Sequence, residues 1–204
     1  MNLSDTAVRS GITYTSIREG IYTEAFPLFI GWYPSTETVY VPQDGPVTYT
    51  SREELAEANA KLLIQGGHEN EIVLLTADEA VTASDLTELI NETTGRNVRL
   101  QIVSPEDYVR LNVANDEGGK PASFWEKRVS WFDGIANGDA VVSHPLMAEL
   151  LGRQPRPARQ VVKDLLKENP NYTWHQNYVE RDKHGTTASK FSKFAKVYRA
   201  APGE

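Results

Sequence analysis

The densest cluster of polar side chains in the 204-residue sequence lies between Arg18 and Glu24, directly after a segment with strand character. Gly20 would let the backbone approach a ligand closely, and Tyr22 offers both an aromatic ring and a hydroxyl group. In an open α/β sheet, ligands bind beyond the carboxyl ends of the strands, so the position of the cluster favours a binding site. The candidate cleft residues are Arg18, Glu19, Gly20, Tyr22, Thr23 and Glu24.

The same residues are equally typical of an ion pair and a turn at the end of a strand, and the sequence alone favours neither interpretation. In the ligand-binding interpretation, Arg18 and Glu24 would orient polar groups of a substrate. No residue of the sequence is assigned a catalytic role.

Most motifs of cofactor and nucleophilic chemistry are absent. There is no G-x-G-x-x-G turn for a dinucleotide, and Pro121 follows Gly119 and Lys120 where a phosphate-binding loop would need a hydroxyl group. None of the nine tyrosines has a lysine four residues later, and no G-x-S-x-G elbow is present. The four histidines are far apart in the sequence and are interpreted as surface or capping residues, so no metal site is predicted. They are His68, His144, His175 and His184.

Composition excludes further classes of protein. Without cysteine there is no disulfide framework, thiolate metal site or cysteine nucleophile. The net charge of −7 disfavours nucleic-acid binding, although residues 181–204 carry six basic against two acidic side chains. No apolar run approaches the roughly 20 residues of a membrane helix, and no signal segment follows Met1. We therefore expect a cytoplasmic protein without membrane or nucleic-acid partners.

Alternating strand and helix patterns between residues 12 and 112 predict an α/β fold. Strands are predicted at residues 13–19, 71–76 and 98–103, and the apolar run at 72–75 indicates a strand that is buried on both faces. Residues 26–32 and 38–42 are predicted to be short extended pieces between surface turns.

Helix signals are strongest after Ser51, where Ser51 and Glu54 are predicted to form a capping box, and between Thr82 or Ser84 and Gly95. A further helix is predicted to begin at Pro105. Additional helices are expected at residues 124–135, 145–151 and 159–167.

The cluster after the first strand also resembles a known family. Residues 10–24, S-G-I-T-Y-T-S-I-R-E-G-I-Y-T-E, are similar to the SG-x-x-Y-T-x-L-R-x-x-x-Y-x-E segment of NmrA-like proteins. This atypical short-chain dehydrogenase/reductase group includes NAD(P)H:quinone oxidoreductase-like enzymes. Residues 50–56 resemble its T-x-R-x-D-L-A helix start, and residues 67–86 resemble its GHEG, LTG and TLADLA stretch.

The resemblance continues in the same order to residue 167. Residues 94–98 are similar to the TGK-x-V segment, and residues 137–157 are similar to the NG…LLGRPP ending, which the ergot-alkaloid oxidoreductase branch also has. The resemblance does not extend to residues 175–204.

The resemblance implies a partial NAD(P)-binding Rossmann-like fold, made of its last strands and helices, with a small and mostly helical C-terminal lobe. Residues 1–170 are expected to form the substrate-side portion of an NmrA-like domain, and residues 171–204 are expected to form a flexible basic tail. In the family, the glycine turn and the adenine-binding residues precede the position where this chain starts. We therefore expect a truncated relative that binds NAD(P)H weakly or not at all by itself.

Two functions are compatible with this resemblance. The first is an NAD(P)(H)-dependent oxidoreductase acting on a small organic acceptor such as a quinone or an alkaloid iminium, with residues 18–24 lining the cleft near the nicotinamide. The second is a non-catalytic NmrA-type redox sensor or regulatory binding protein. A truncated sheet would also leave an exposed edge, which is a route to self-association or to a protein partner.

Overall fold

The computed structural model describes residues 9–174 and residue 177, in which strands and helices are interspersed up to residue 115 and only helices follow in the described part. The strands are β1 (Thr15–Glu19), β2 (Ile21–Tyr22), β3 (Thr38–Val41), β4 (Val47–Thr50), β5 (Glu71–Leu75), β6 (Ala80–Val81) and β7 (Arg99–Ile102). The helices are α1 (Phe26–Ile30), α2 (Arg52–Gln65), α3 (Ala83–Thr94), α4 (Pro105–Asn115), α5 (Ala122–Ala136), α6 (Leu146–Leu151) and α7 (Ala158–Glu168). The predicted α/β fold is therefore confirmed.

The strands pair in three small sheets. Strand β1 runs parallel to β5, with Thr15 opposite Glu71 and Glu19 opposite Leu75. Strand β2 runs parallel to β4, which pairs antiparallel with β6, and β3 runs parallel to β7. Parallel neighbours need long crossover connections, and helices α2 and α3 occur in the sequence within those connections.

Two apolar clusters hold the sheets and helices together. The larger cluster contains the aromatic side chains of Phe26, Trp32, Tyr108 and Trp125 together with the inner faces of α3 and α7. The smaller cluster joins α2, β5 and α6 and includes Met147, which is fully buried. The C-terminal helices α6 and α7 thus pack on the helices that follow β4 and β6.

Residues 26–32 differ from the sequence-based expectation, because the structure forms helix α1 there instead of an extended piece. Pro27 occupies the first turn, where its missing N–H costs nothing, and Gly31 ends the helix with a φ of 66°. The helix buries Phe26 and Ile30 in the larger cluster. Helix formation here is driven by burial of these apolar side chains, which a short sequence window does not reveal.

The predicted helix ends are confirmed at α3 and wrong in part at α2. At α3 the Thr82 hydroxyl accepts a hydrogen bond from the N–H of Asp85, whose carboxylate accepts one from the N–H of Thr82, so the capping box is complete. Helix α2 begins after Ser51 as expected, but the Ser51 side chain makes no capping bond. The Glu54 carboxylate is buried against the Arg153 guanidinium instead, so the predicted capping box does not form.

Strand β5 is confirmed at Glu71–Leu75, but it is not buried on both faces. Ile72 is 49% exposed, whereas Val73 and Leu75 are buried. Strand β1 is the neighbour to which β5 is hydrogen-bonded over the described residues, and Ile72 stays open to solvent. The continuous apolar run therefore does not indicate a fully covered strand here.

The described residues of the segment that was expected to be a tail pack against the body of the fold. The Tyr172 hydroxyl donates to the backbone carbonyl of Glu24 at 2.8 Å, and the buried Trp174 ring lies 5.1 Å from the Arg52 guanidinium carbon. Asn177 donates to the backbone carbonyl of Trp32 at 3.3 Å. The remainder of residues 171–204 lies outside the described part of the chain.

A buried ion pair fixes the connection between α4 and α5. The Lys120 ammonium lies 2.6 Å from the Asp116 carboxylate, and both side chains are almost fully buried. Lys120 also donates to the Tyr33 hydroxyl and, at 3.0 Å, to the backbone carbonyl of Asn177. Burial lowers the pKa of Lys120, and the neighbouring Asp116 carboxylate opposes that shift. This contact therefore ties together three separate parts of the sequence.

We predict that Lys120→Met destabilises the fold by about 3–5 kcal/mol, because it leaves the Asp116 carboxylate buried without its cation. The free energy of unfolding from urea denaturation measures this effect. In a double-mutant cycle, adding Asp116→Asn should recover part of the loss. Lys127→Met, at an exposed position of α5, serves as the control and should change stability by less than about 0.5 kcal/mol. Additive losses for the pair would contradict this interpretation.

Candidate active-site cleft

The chain changes its strand partner at Gly20, and a cleft opens at that point. Before Gly20, β1 pairs with β5; after it, β2 pairs with β4. The Gly20 N–H still donates to the Leu75 carbonyl at 2.9 Å. On its other side, a Cβ at Gly20 would lie 2.2 Å from the Thr50 hydroxyl oxygen, so a side chain has no space there. The sheets therefore separate at a position where glycine is required sterically.

The cleft has a volume of about 440 Å³ and lies at the carboxyl ends of β1 and β5. One wall comes from these strand ends, including Arg18 and Leu74, and the opposite wall comes from Trp131 of α5 and residues that follow it. Most of the lining side chains are apolar. Arg18, Glu19 and Asp139 supply the charged groups, and the side chain of Arg18 has no hydrogen bond or ion pair with the described residues.

A second cavity of about 280 Å³ adjoins the first. Both are lined by Glu19, Gly20, Ile21, Phe29 and Trp131. The second cavity adds Tyr22, Leu28 and Arg128 to the lining. The two volumes therefore share one wall and offer space for a ligand with more than one ring.

Glu19 holds the side chain of Tyr22 in the lining of the second cavity. The Tyr22 hydroxyl donates to one carboxylate oxygen of Glu19 at 2.8 Å, and the other oxygen accepts from the Asn59 amide at 2.8 Å. The hydrogen bond to Glu19, together with partial burial, raises the pKa of Tyr22, and the nearby Arg52 guanidinium only partly opposes this. Tyr22 is consequently a neutral hydrogen-bond donor at physiological pH.

The six candidate residues divide into two groups. The structure places Arg18, Glu19, Gly20 and Tyr22 in the lining of the cavities.

Thr23 and Glu24 lie elsewhere. Thr23 is buried, and its hydroxyl has no hydrogen-bond partner among the described residues. Both Glu24 carboxylate oxygens accept from the Arg52 N–H at 3.1 Å, so Glu24 caps the start of α2.

Helix α5 contributes two cleft residues that sequence reasoning missed. Trp131 is 52% exposed and stacks on Phe29 with ring centroids 5.3 Å apart. Arg128 lies one turn earlier, 6% exposed, with its guanidinium 5.2 Å from the Trp131 ring. The available signal was the spacing of an arginine and a tryptophan three residues apart, which places both on one face of a helix.

Other ionisable groups stay outside the cleft. A tyrosine and a lysine do meet in space as Tyr33 and Lys120, but their contact is buried and belongs to the ion pair that joins α4 and α5. His68 contacts Glu71 at 3.0 Å, and His144 accepts from the Leu146 N–H at 3.2 Å at the start of α6.

His175 and His184 lie outside the described residues. Within the described part of the chain, no group of three or more acidic or histidine side chains could hold a metal ion. Over the same residues, no helix is long and apolar enough to cross a membrane.

We predict that Gly20→Ala destabilises the fold by about 1–3 kcal/mol, because the new methyl group collides with the Thr50 hydroxyl. Thermal unfolding measures the loss. Adding Thr50→Ala removes the colliding oxygen and should reduce the additional cost of Gly20→Ala. Gly134→Ala in α5, where the nearest atom would be 3.5 Å away, is the matched control and should not destabilise. Equal stability of Gly20→Ala and wild type would contradict the steric argument.

Comparisons with known proteins agree with the family resemblance. No family model matches the chain. The chain is 52% identical over 172 residues to an NmrA-like family domain-containing oxidoreductase of Aspergillus flavus. The aligned segment covers 84% of this chain and 56% of that relative. The chain spans about half the length of the curated relatives it matches.

Solved structures show the same fold. Triphenylmethane reductase of Citrobacter sp., crystallised with NADP(H), matches with a TM-score of 0.64 and 28% identity over 78% of this chain and 56% of that one. The NADPH-dependent quinone oxidoreductase of Escherichia coli, crystallised with NADPH, matches with a TM-score of 0.67 and 23% identity over 79% of this chain and 56% of that one. The solved structures show the same fold, and the Aspergillus flavus relative confirms the resemblance to NmrA-like proteins over the segment that it shares with this chain.

Proposed function

We propose that this chain supplies the acceptor-binding side of an NAD(P)H-dependent oxidoreductase, and that the acceptor is a small planar molecule such as a quinone or an alkaloid iminium. The observation that carries the proposal is the largely apolar cleft at the separation of the sheets, with the half-exposed Trp131 ring in its wall. Concave apolar sites with few polar groups are typical of small-molecule binding. The resemblance to NmrA-like proteins supports the same reaction class.

The cleft residues would bind and orient the acceptor. Trp131 and Phe29 form an aromatic surface against which a planar ring can stack. The apolar walls exclude water from the ring, and the neutral Tyr22 phenol would turn its single O–H from Glu19 to an oxygen or nitrogen of the bound acceptor. Glu19 positions that phenol. Gly20 lines the cleft where Thr50 packs against its backbone, and the Arg18 side chain offers a cation without an ion-pair partner among the described residues.

In this proposal, Thr23 and Glu24 stabilise the backbone next to the site. Glu24 fixes the start of α2 beside the cleft by accepting from the Arg52 N–H. Thr23 fills the buried turn between β2 and α1. We do not place either side chain in contact with the acceptor.

NAD(P)H would supply the hydride when it is bound. The residues present do not fit its pyrophosphate, because the sequence contains no glycine-rich strand-to-helix turn. We therefore propose that residues 1–170 form only the acceptor side of an NmrA-like domain, and that the 204-residue chain by itself binds the dinucleotide weakly or not at all. Micromolar affinity for NADPH in a calorimetric titration would overturn that part of the proposal.

We predict that a chimera turns over NADPH with a quinone acceptor when this chain replaces the matching segment of the Aspergillus flavus relative. Tyr22→Phe in the chimera should lower kcat/KM about tenfold, because one hydrogen bond to the acceptor contributes about 1.4 kcal/mol. NADPH absorbance with a panel of quinones measures the rate. Tyr14→Phe, a tyrosine outside both cavities, is the control and should leave the rate unchanged.

A non-catalytic NmrA-type sensor or regulatory protein is the second candidate. One observation favours it: the Tyr22 hydroxyl already donates to Glu19, and its pKa is raised, which makes the phenol a poor proton donor. In that case the chimera would bind NADPH and a quinone without turnover. Equal rates for the Tyr22→Phe and wild-type chimeras would instead support the enzyme hypothesis and show that Tyr22 has no role in the reaction.

Exposed apolar side chains support a proposal of self-association or of a protein partner. At the end of α2, Leu63 and Ile64 are 80% and 84% exposed, and Ile72 lies in the open face of β5. We predict that the chain forms oligomers in sedimentation velocity experiments and that Ile64→Glu shifts it toward the monomer. Val113→Glu, on the exposed face of α4, should have no such effect. A wild-type chain that is monomeric at every concentration tested would contradict self-association.

A further inference from the structure

Arg128 is a buried cation without an acidic partner among the described residues. Its side chain is 6% exposed, and no aspartate or glutamate in the described part of the chain forms an ion pair with it. Buried charges in proteins are normally paired, because removing an ion from water costs several kcal/mol. The position of this arginine therefore requires an explanation.

The neighbours of Arg128 stabilise the cation only in part. Its guanidinium donates to the backbone carbonyl of Phe29 and, at 3.2 Å, to the Tyr108 hydroxyl. The rings of Phe29 and Trp131 lie 5.4 Å and 5.2 Å from the guanidinium carbon and add cation–π attraction. All of these partners are neutral. No ion pair with a described residue therefore offsets the charge of the guanidinium next to the second cavity.

One nitrogen of the guanidinium is still free to bind a ligand. The bonds to Phe29 and Tyr108 use Nη2 and Nε, and Nη1 makes no hydrogen bond with the described residues. Arg128 lines the second cavity together with Trp131 and Tyr22. The carboxylate of Glu19, which lines the same cavity, is already hydrogen-bonded to Tyr22 and Asn59.

We propose that the second cavity selects a planar aromatic ligand that carries a negatively charged oxygen, with its ring on Trp131 and the oxygen bound by Arg128. An oxygen anion would supply the counter-charge that Arg128 lacks, and charge-assisted hydrogen bonds are about twice as strong as neutral ones. A half-exposed tryptophan ring beside it provides the stacking surface. The inference rests on the proposed function, because it names the class of acceptor that the cleft prefers.

Two naphthoquinones test this preference with the 204-residue chain and without any cofactor. 2-Hydroxy-1,4-naphthoquinone is an enolate anion at neutral pH, whereas 2-methoxy-1,4-naphthoquinone has the same rings and no charge. Isothermal calorimetry should give a dissociation constant about tenfold lower for the hydroxy compound, as expected for one charge-assisted hydrogen bond. The difference should persist at 0.5 M salt, because a buried pair is screened little.

Variants separate the two parts of the site. Arg128→Met should abolish the preference for the anion. Trp131→Ala should weaken the binding of both compounds by about fivefold to tenfold and leave the ratio of their dissociation constants unchanged. Arg110→Met is the control, because Arg110 pairs with Asp107 on the exposed face of α4 and lines neither cavity. If Arg128→Met does not fold, the wild-type ratio and the Trp131→Ala variant still decide the result.

The outcomes distinguish this inference from the proposed function. Equal affinity of wild type for the two compounds, or an unchanged ratio in folded Arg128→Met, overturns the role of Arg128 and leaves the acceptor cleft in place. Failure to bind either compound overturns both proposals. Selective binding of the anion combined with no turnover in the chimera supports the inference and removes the oxidoreductase function.

Discussion

At Gly20 the backbone passes so close to Thr50 that a Cβ would lie 2.2 Å from its hydroxyl oxygen, while the Gly20 N–H remains bonded to Leu75. The position of the cleft depends on this double contact. Because the strand is held by β5 on one side and by β4 on the other, its next residues change partner and the two sheets separate. A larger residue at this position would push Thr50 away and alter the wall of the cleft.

The helices place aromatic and charged groups at this separation at an energetic cost. Arg128 is buried in a cage of rings with a carbonyl and a hydroxyl group, which stabilises a cation less completely than a carboxylate would. Lys120, by contrast, has Asp116 at 2.6 Å and closes a structural contact. Lys120 and Arg128 are both buried cations, but they have different roles. Lys120 has its counter-charge within the fold, and Arg128 presents its charge to a cavity.

The sequence patterns correctly predicted those elements that are stabilised by residues close to them in the sequence. The start and end of α3 follow from Thr82, Asp85 and Gly95, which satisfy the backbone within a few residues of one another. Helix α1 and the cap of α2 were predicted incorrectly for the opposite reason. Helix α1 is stabilised by burial of Phe26 and Ile30, and α2 is capped by Glu24, which lies 28 residues before Arg52 in the sequence.

The same distinction explains the site. Arg18, Glu19, Gly20 and Tyr22 are consecutive or nearly so, and the rule that ligands bind at the carboxyl ends of strands was enough to nominate them. Arg128 comes from a helix about a hundred residues later, and only the packing of α5 against α1 brings it to the cavity. The net charge of −7 disfavours binding of a phosphate backbone, but solvent and salt screen the distant surface carboxylates, so these act little on Arg128. The local field in the second cavity is thus set by the charged groups that line it, Arg128 and Glu19, and not by the average charge of the chain.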